Sequence, residues 1–279
     1  EALILVWTLP SKRSRWCRSL RDALQAIESG RGSDVYFGVG LSPQDFGTDR
    51  RCPSEQIAGI TCVWADIDVR SAAHNNKPLP ASIEEALSIL PEDLPASIVI
   101  HTGNGLHVYW LLREPWIFEA DEERNRAAAI VHRLQTLLRT RAASRGWSFD
   151  RLADLSRVLR IPGTLNCKEP DNPKPVDVQS YSDRRYNIGD LEEYLDVAGI
   201  PVSAEVDSVP TEWASKFSAG QIAIDPNAAI PEEVLNKWMS ADARFRDTWK
   251  RNRTDLKDPS QSGYDMALAN FGLRVGLTE

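Results

Sequence analysis

The stretch Ile60-Thr-Cys-Val-Trp-Ala-Asp-Ile-Asp-Val69 decides how this chain is read. It is rich in β-branched and aromatic residues, so it reads as a strand. Along a strand, residues i and i+2 point to the same face. Asp66 therefore stands beside Asp68, with Ile67 buried behind them. Two adjacent like charges repel, and a bound divalent cation is the simplest way to keep both ionised. An isolated Asp-x-Asp is more often no more than an exposed strand end. The segments downstream change its meaning.

About thirty residues on comes Ile98-Val-Ile-His-Thr-Gly-Asn-Gly-Leu-His-Val-Tyr-Trp-Leu-Leu112. Strand-like runs over 97–101 and 106–112 flank Thr102-Gly103-Asn104-Gly105, and Gly-Asn-Gly between strands is hairpin chemistry. Glycines also let backbone N–H groups come close to an anion. Alternation puts His107, Tyr109 and Leu111 on one face. A histidine there can be a packing residue, but beside a glycine turn and a carboxylate pair it is a better candidate for a phosphate contact. The third segment runs from Phe149 to Lys168. It carries Asp150 and Asp154, then Arg157, Arg160 and Lys168 around the Pro162-Gly163 turn. Arginine forks and lysine point charges are the usual partners of phosphate oxygens, although an ordinary surface loop has the same composition.

In this order the three segments resemble the archaeo-eukaryotic primase superfamily, above all the primase-polymerases of plasmids, phages and mobile elements. That pattern is a DxD strand, a Ser/Thr-Gly-x-Gly-x-His hairpin, and an acid followed by Arg-x-x-Arg, an apolar residue, Pro-Gly-Thr-x-Asn-x-Lys. The resemblance covers roughly 35–181. It implies Mg²⁺ or Mn²⁺ ions held by Asp66, Asp68 and Asp150, with Asp154 as the alternative third ligand; Asp150 is favoured because it follows the apolar Phe149. It implies a catalytic role for His107 beside these acids. It implies nucleotide binding by Thr102, Gly103, Asn104, Gly105, His107, Arg157, Arg160 and Lys168, with dNTP or NTP as substrates. It also implies an α+β fold, in which an RRM-like antiparallel catalytic sheet joins an α/β module and a small helical C-terminal domain follows. The tail from Asp258 resembles that helical segment more weakly.

The 279 residues suffice for one large or two modest domains, and a composition of 42% hydrophobic and 26% charged residues is that of globular protein. No run has membrane-spanning length and no signal peptide is visible, so a cytoplasmic protein with no membrane partner is expected. Cys17, Cys52, Cys62 and Cys167 are scattered without zinc spacing; reduced thiols and no zinc are expected. The chain opens on Glu1 and ends on Gly276-Leu-Thr-Glu279, which reads as a helix start cut short, so a fragment of a longer protein is expected. A helicase domain C-terminal to it is an expectation by analogy alone.

A net charge of −7 argues mildly against nucleic acid. Local clusters run the other way. Lys12, Arg13, Arg15, Arg18 and Arg21 fall within one stretch read as helical, and Arg133, Arg139, Arg141 and Arg145 load the end of another. Arg50 and Arg51 sit in a polar loop. Arg244, Arg246, Lys250, Arg251 and Arg253, interleaved with Phe245 and Trp249, offer charge and stacking surfaces of the kind that bind single strands. A basic groove is enough for a polymerase, because phosphate attraction acts over about 10 Å at 0.1 M salt. DNA-binding candidates are thus Arg50, Arg51, Arg246, Lys250, Arg251 and Arg253, with a single-stranded template and a primer strand as partners.

The element order reads as a strand over 3–8, a helix over 14–29 ended by Gly30, and a strand over 35–41. A polar loop over 42–58 leads to the DxD strand. A capped helix over 82–90, the hairpin, a long helix over 120–145, a strand over 176–181 and a helix over 188–195 follow. The segment 201–210 reads as a linker between a catalytic domain over 1–200 and a helical domain over 211–279, whose helical signals lie at 232–239 and 264–275. This mixed order suits α+β better than a doubly wound sheet. No GKS/T phosphate loop is present, and the histidines do not have the His-x-His spacing of HUH nucleases. Three functions stay open: a primase-polymerase, a metal-dependent nuclease using the same carboxylates, and a non-catalytic single-strand DNA-binding module of a replication initiator.

Overall fold

The computed structural model describes residues 2–71, 77–150, 152–202, 232–255, 264, 267 and 268. The chain divides into two compact units, Glu1–Ser208 and Val209–Glu279. Each is considered by itself.

The first unit opens with a hairpin. β1 (Ile4–Leu9) pairs antiparallel with β2 (Arg13–Cys17), Ile4 opposite Cys17 and Thr8 opposite Arg13. This corrects the helix expected over 14–29. Ser14 and Cys17 are buried and Arg15 is exposed, so the segment forms an edge ladder on β1. The helix begins only where a cap is available. The Ser19 hydroxyl accepts from the Asp22 N–H, the Asp22 carboxylate accepts from the Ser19 N–H, and α1 (Leu20–Ser29) runs to Gly30. Arg13 and Arg15 thus sit on a strand and Arg21 on a helix, so this cationic run has no single helical face.

β3 (Asp34–Gly38) pairs with β1, whereas β4 (Gly40–Leu41) belongs to a second sheet. The strand expected over 35–41 is two strands, and Val39 carries the chain from one sheet to the other. Gly40 is required at this crossing. A Cβ there would lie 2.5 Å from the Leu155 carbonyl oxygen and 2.8 Å from Ile57 Cγ2.

β5 (Gly59–Asp68) follows, then α2 (Ile83–Leu87) with Ser82 as its cap, and the hairpin of β6 (Ile98–His101) and β7 (Gly105–Ile117). α3 (Asp121–Ala143) packs against β5 through Ala127, Ile130, Val131, Leu134 and Leu138, the spacing of one buried helical face. β8 (Val158–Arg160), β9 (Leu165–Asn166), β10 (Lys174–Pro175), β11 (Asp177–Tyr181) and α4 (Ile188–Val197) complete the unit. One sheet has the order β10-β9-β3-β1-β2, with β8 also on β3; the other has the order β11-β6-β7-β5-β4. The mixed sheets and helices make the fold α+β, as expected. The main core includes Ile60, Trp64, Ile67, Leu106, Trp110, Ile130 and Leu134, all at most 2% exposed.

Part of the arginine run on α3 is structural. Arg133 ion-pairs with Asp196 and donates to the Ile200 carbonyl, and Arg141 donates to the carbonyls of Ile89 and Leu90. Both cations tie α3 to neighbouring chain.

In the second unit, α5 (Glu232–Ala241) leads through Asp242, which caps α6 (Ala243–Trp249) by accepting from the Phe245 N–H at 3.0 Å. Phe245 is buried between Trp238 and Trp249. Most of the linker expected over 201–210 and most of the helical signal over 264–275 lie outside the described residues. Among the described residues no helix is long and apolar enough to cross a membrane.

The crossing at Gly40 gives a direct stability prediction. Gly40→Ala destabilises the first unit at or above the upper end of about 1–3 kcal/mol. Gly189→Ala, in helix α4 where an added Cβ meets nothing within 4 Å, is neutral or stabilising. Chemical denaturation of the two variants checks the contrast.

Candidate active site

The strand end behaves as alternation requires. Ile67 is buried, while Asp66 and Asp68 are partly exposed. Across the ladder Asp66 faces His107 and Asp68 faces Gly105. The Nε2 atom of His107 lies 3.7 Å from Asp66 Oδ1, beyond direct hydrogen-bond reach. His107 is buried, and its Nδ1 has no hydrogen-bond partner among the described residues. Burial first, and then the positive charge of Arg160, push its pKa down to about 3; Asp68 and the Arg160 backbone act in the opposite direction. At neutral pH the ring is therefore uncharged. Tyr109 shares this face and is also buried, its phenol raised by burial.

The glycine turn lies beyond His107 at the same end of β7. The Thr102 N–H donates to the Gly105 carbonyl at 2.9 Å, and the Val69 N–H donates to the Asn104 carbonyl at 3.0 Å. Gly103 has φ = 86°, the left-handed region that favours glycine. The other sheet clamps this turn. Asn166 Nδ2 donates to the Thr102 carbonyl at 2.7 Å, and Lys174 Nζ donates to Asn104 Oδ1 at 2.6 Å. Arg160 reaches the same region from β8. It ion-pairs with Asp34, and its guanidinium lies 4.9 Å from the Tyr36 ring centroid.

Beyond Ile60 and Gly59, β5 pairs with no strand on the side of β4 among the described residues. Gln135, on the buried face of α3, reaches the β5 backbone instead. Its Nε2 donates to the Trp64 and Leu152 carbonyls at 3.1 and 3.2 Å, and its Oε1 accepts from the Leu152 N–H at 2.7 Å. Trp64 Nε1 also donates to the Leu152 carbonyl at 3.2 Å. The loop carrying Asp150 and Asp154 is thus fastened to β5 two residues before Asp66.

The two acids of that loop have different partners. Asp150 ion-pairs with Lys77, whose pKa is raised by this hydrogen bond and also by the charges of Asp150 and Asp68. One ammonium therefore feels both Asp150 and Asp68. Asp154 ion-pairs with Arg157 and accepts from the Ser156 hydroxyl at 3.1 Å. Arg51 Nη1 lies 3.5 Å from the Ser156 carbonyl oxygen. Lys168 is exposed, and its backbone N–H donates to Asn166 Oδ1 at 3.1 Å.

Among the proposed DNA-binding residues, Arg50, Lys250 and Arg251 are exposed. Arg246 donates to the Met239 carbonyl at 3.0 Å, and Arg253 forms a two-pronged pair with Asp255 at 2.7 Å. Among the described residues no group of three or more His, Cys, Asp or Glu side chains is placed to hold a metal ion.

Sequence reasoning did not find Lys77, Gln135 or Lys174. The two lysines sit next to prolines in stretches too short for periodicity to give a direction. Gln135 did leave a signal, being an amide between Leu134 and Leu138 on an apolar helix face, where a polar group needs partners.

No family model and no curated protein matches the chain. Two solved structures are similar to it. One is the AEP domain of the cyanophage S-2L primase-polymerase, at 18% identity and a TM-score of 0.44 over 70% of this chain and 88% of that one. The other is the catalytic domain of the primase Repb' in complex with initiator DNA, at 13% identity and a TM-score of 0.36 over 71% and 88%. The roles of individual residues rest on the geometry above.

The depressed His107 pKa predicts a pH effect. An unfolded imidazole takes up its proton near pH 6.5, whereas the folded one resists protonation down to about 3. Falling pH therefore favours the unfolded chain across that window, and the stability lost there is present in full above it. In His107→Gln, thermal unfolding followed from pH 7 to pH 4 shows a shallower acid decline than in the wild type. Parallel declines would refute the assignment.

Proposed function

We propose that the chain is a template-dependent DNA primase-polymerase that makes primers and extends them by nucleotidyl transfer. The observation that carries this reading is the union at one strand end of two same-face carboxylates, a buried neutral histidine and a clamped glycine turn. In this reading the five-stranded sheet is the RRM-like catalytic sheet, 1–200 the catalytic domain, and 211–279 a small helical domain acting in the cytoplasm.

Donor chemistry supports a metal fit. Mg²⁺ commonly takes one or two protein carboxylates and completes its shell with water and substrate phosphate oxygens. Asp66 and Asp68 offer that pair, and the Lys77 ammonium beside Asp150 and Asp68 marks a place where positive charge is accommodated. When bound, Mg²⁺ or Mn²⁺ would be held by the Asp66 and Asp68 pair and would supply charge neutralisation and Lewis acidity at phosphate oxygens; Asp150, with Asp154 as its alternative, is the proposed third carboxylate, and it would join the pair only on leaving its lysine or arginine partner. The chain's own contribution is positioning. The glycine turn presents backbone to the triphosphate. His107 stays neutral and offers a hydrogen bond without adding charge. Arg160, braced by Asp34, contributes a fixed positive field, and Arg157 and Lys168 belong to the same cationic set. A cationic set beside the acids favours nucleotide addition over hydrolysis, since a nuclease has no triphosphate to grip.

The test is incorporation of dNTPs or NTPs on a single-stranded template. The wild type extends or initiates strands, and the Asp66→Ala/Asp68→Ala double variant loses about 10²-fold or more of that rate. Equal rates in the two proteins refute the proposal. With metal and DNA but no nucleotide the strand stays intact; cutting would support the nuclease reading in its place.

A further inference from the structure

The clamp on the glycine turn contains a cation that lies outside all three sequence segments. Lys174, the first residue of β10, donates to Asn104 Oδ1 at 2.6 Å and ion-pairs with Glu169 at 3.3 Å. Its side chain remains 28% exposed. Gly103 and Lys174 fit one another. A Cβ on Gly103 would lie 2.6 Å from Lys174 Cβ, so only glycine lets the lysine stem cross the turn. Two of the three cations named by the sequence are differently committed: Arg160 is paired with Asp34 and stacked on Tyr36, and Arg157 is paired with Asp154. A second observation also points to a ligand here. At the same end of β7, the buried Nδ1 of His107 lacks a partner among the described residues.

We propose that Lys174 binds the β- and γ-phosphates of a nucleoside triphosphate seated on the Thr102–Gly105 turn, and so selects triphosphates over monophosphates. The inference rests on the primase-polymerase reading and adds a specificity residue to it. An ammonium has three donors, and two acceptors are already in place, which leaves one direction for an anion. Asn104 holds the charge at the turn, where glycine N–H groups can approach phosphate oxygens. A lysine point charge on a flexible stem can follow a phosphate chain that a braced arginine cannot.

Titration calorimetry of the full chain with Mg²⁺ and either dTTP or dTMP tests this. Lys174→Met weakens dTTP binding about tenfold and leaves dTMP binding within about twofold of the wild type, and Lys174→Arg recovers most of the loss. Equal weakening of both nucleotides would mean that Lys174 merely holds the turn in shape, and overturns the proposal. Unchanged dTTP binding in Lys174→Met also overturns it. A wild type that binds neither nucleotide overturns the primase-polymerase reading itself, an outcome distinct from the other two.

Discussion

Asp66 stands opposite His107 because β5 and β7 keep one antiparallel register from Cys62 to Asp68, and both strands enforce it. Along β5 the apolar face carries Val63, Ala65 and Ile67 into the core, so a slip of one residue would bury both aspartates and expose Ile67. At the turn, Gly105 lies so close to β5 that a Cβ would come within 2.3 Å of the Ile67 carbonyl oxygen. No other residue fits that contact. With the register set, the acids, the histidine and the turn share one strand end without further adjustment.

The surroundings then balance the charge gathered there. Asp66 and Asp68 bring negative charge to a half-buried place, and the fold brings cations from three directions. Lys77 reaches Asp150 and feels Asp68, Arg160 is held beside His107 by Asp34, and Lys174 is anchored on Asn104. His107 remains neutral, so it adds no charge to this balance. The loop of Asp150 and Asp154 is brought in by Gln135, one amide that makes one hydrogen bond to the Trp64 carbonyl of β5 and two to the Leu152 backbone of the loop. Buried amide networks of this kind act as a unit, and losing one partner strands the rest.

The parts legible in the sequence were those governed by strong local rules. Alternation gave the two aspartates and the buried Ile67, and Gly-Asn-Gly gave the hairpin. Helix periodicity gave α3, with ends close to those observed. The helix expected over 14–29 misled because Trp16 and Cys17 satisfy an apolar pattern on a strand as well as on a helix; the capping pair Ser19 and Asp22 was the better guide to its start. The split at Val39 between two sheets could not be read locally, since it depends on how closely Leu155 and Ile57 approach Gly40. The same holds for Lys77 and Lys174. Each acquires its role only when a non-local partner, Asp150 or Asn104, is brought to it.

The central claim is that Asp66 and Asp68 form a divalent-cation site at the end of β5, facing the glycine turn. Crystals grown with Mn²⁺ and dTTP, with diffraction recorded at the manganese absorption edge, test it directly. The account predicts an anomalous peak at coordination distance, about 2.0–2.6 Å, from carboxylate oxygens of both Asp66 and Asp68. A crystal with nucleotide bound and no manganese at these two residues, or with manganese bound elsewhere in the chain, would contradict it.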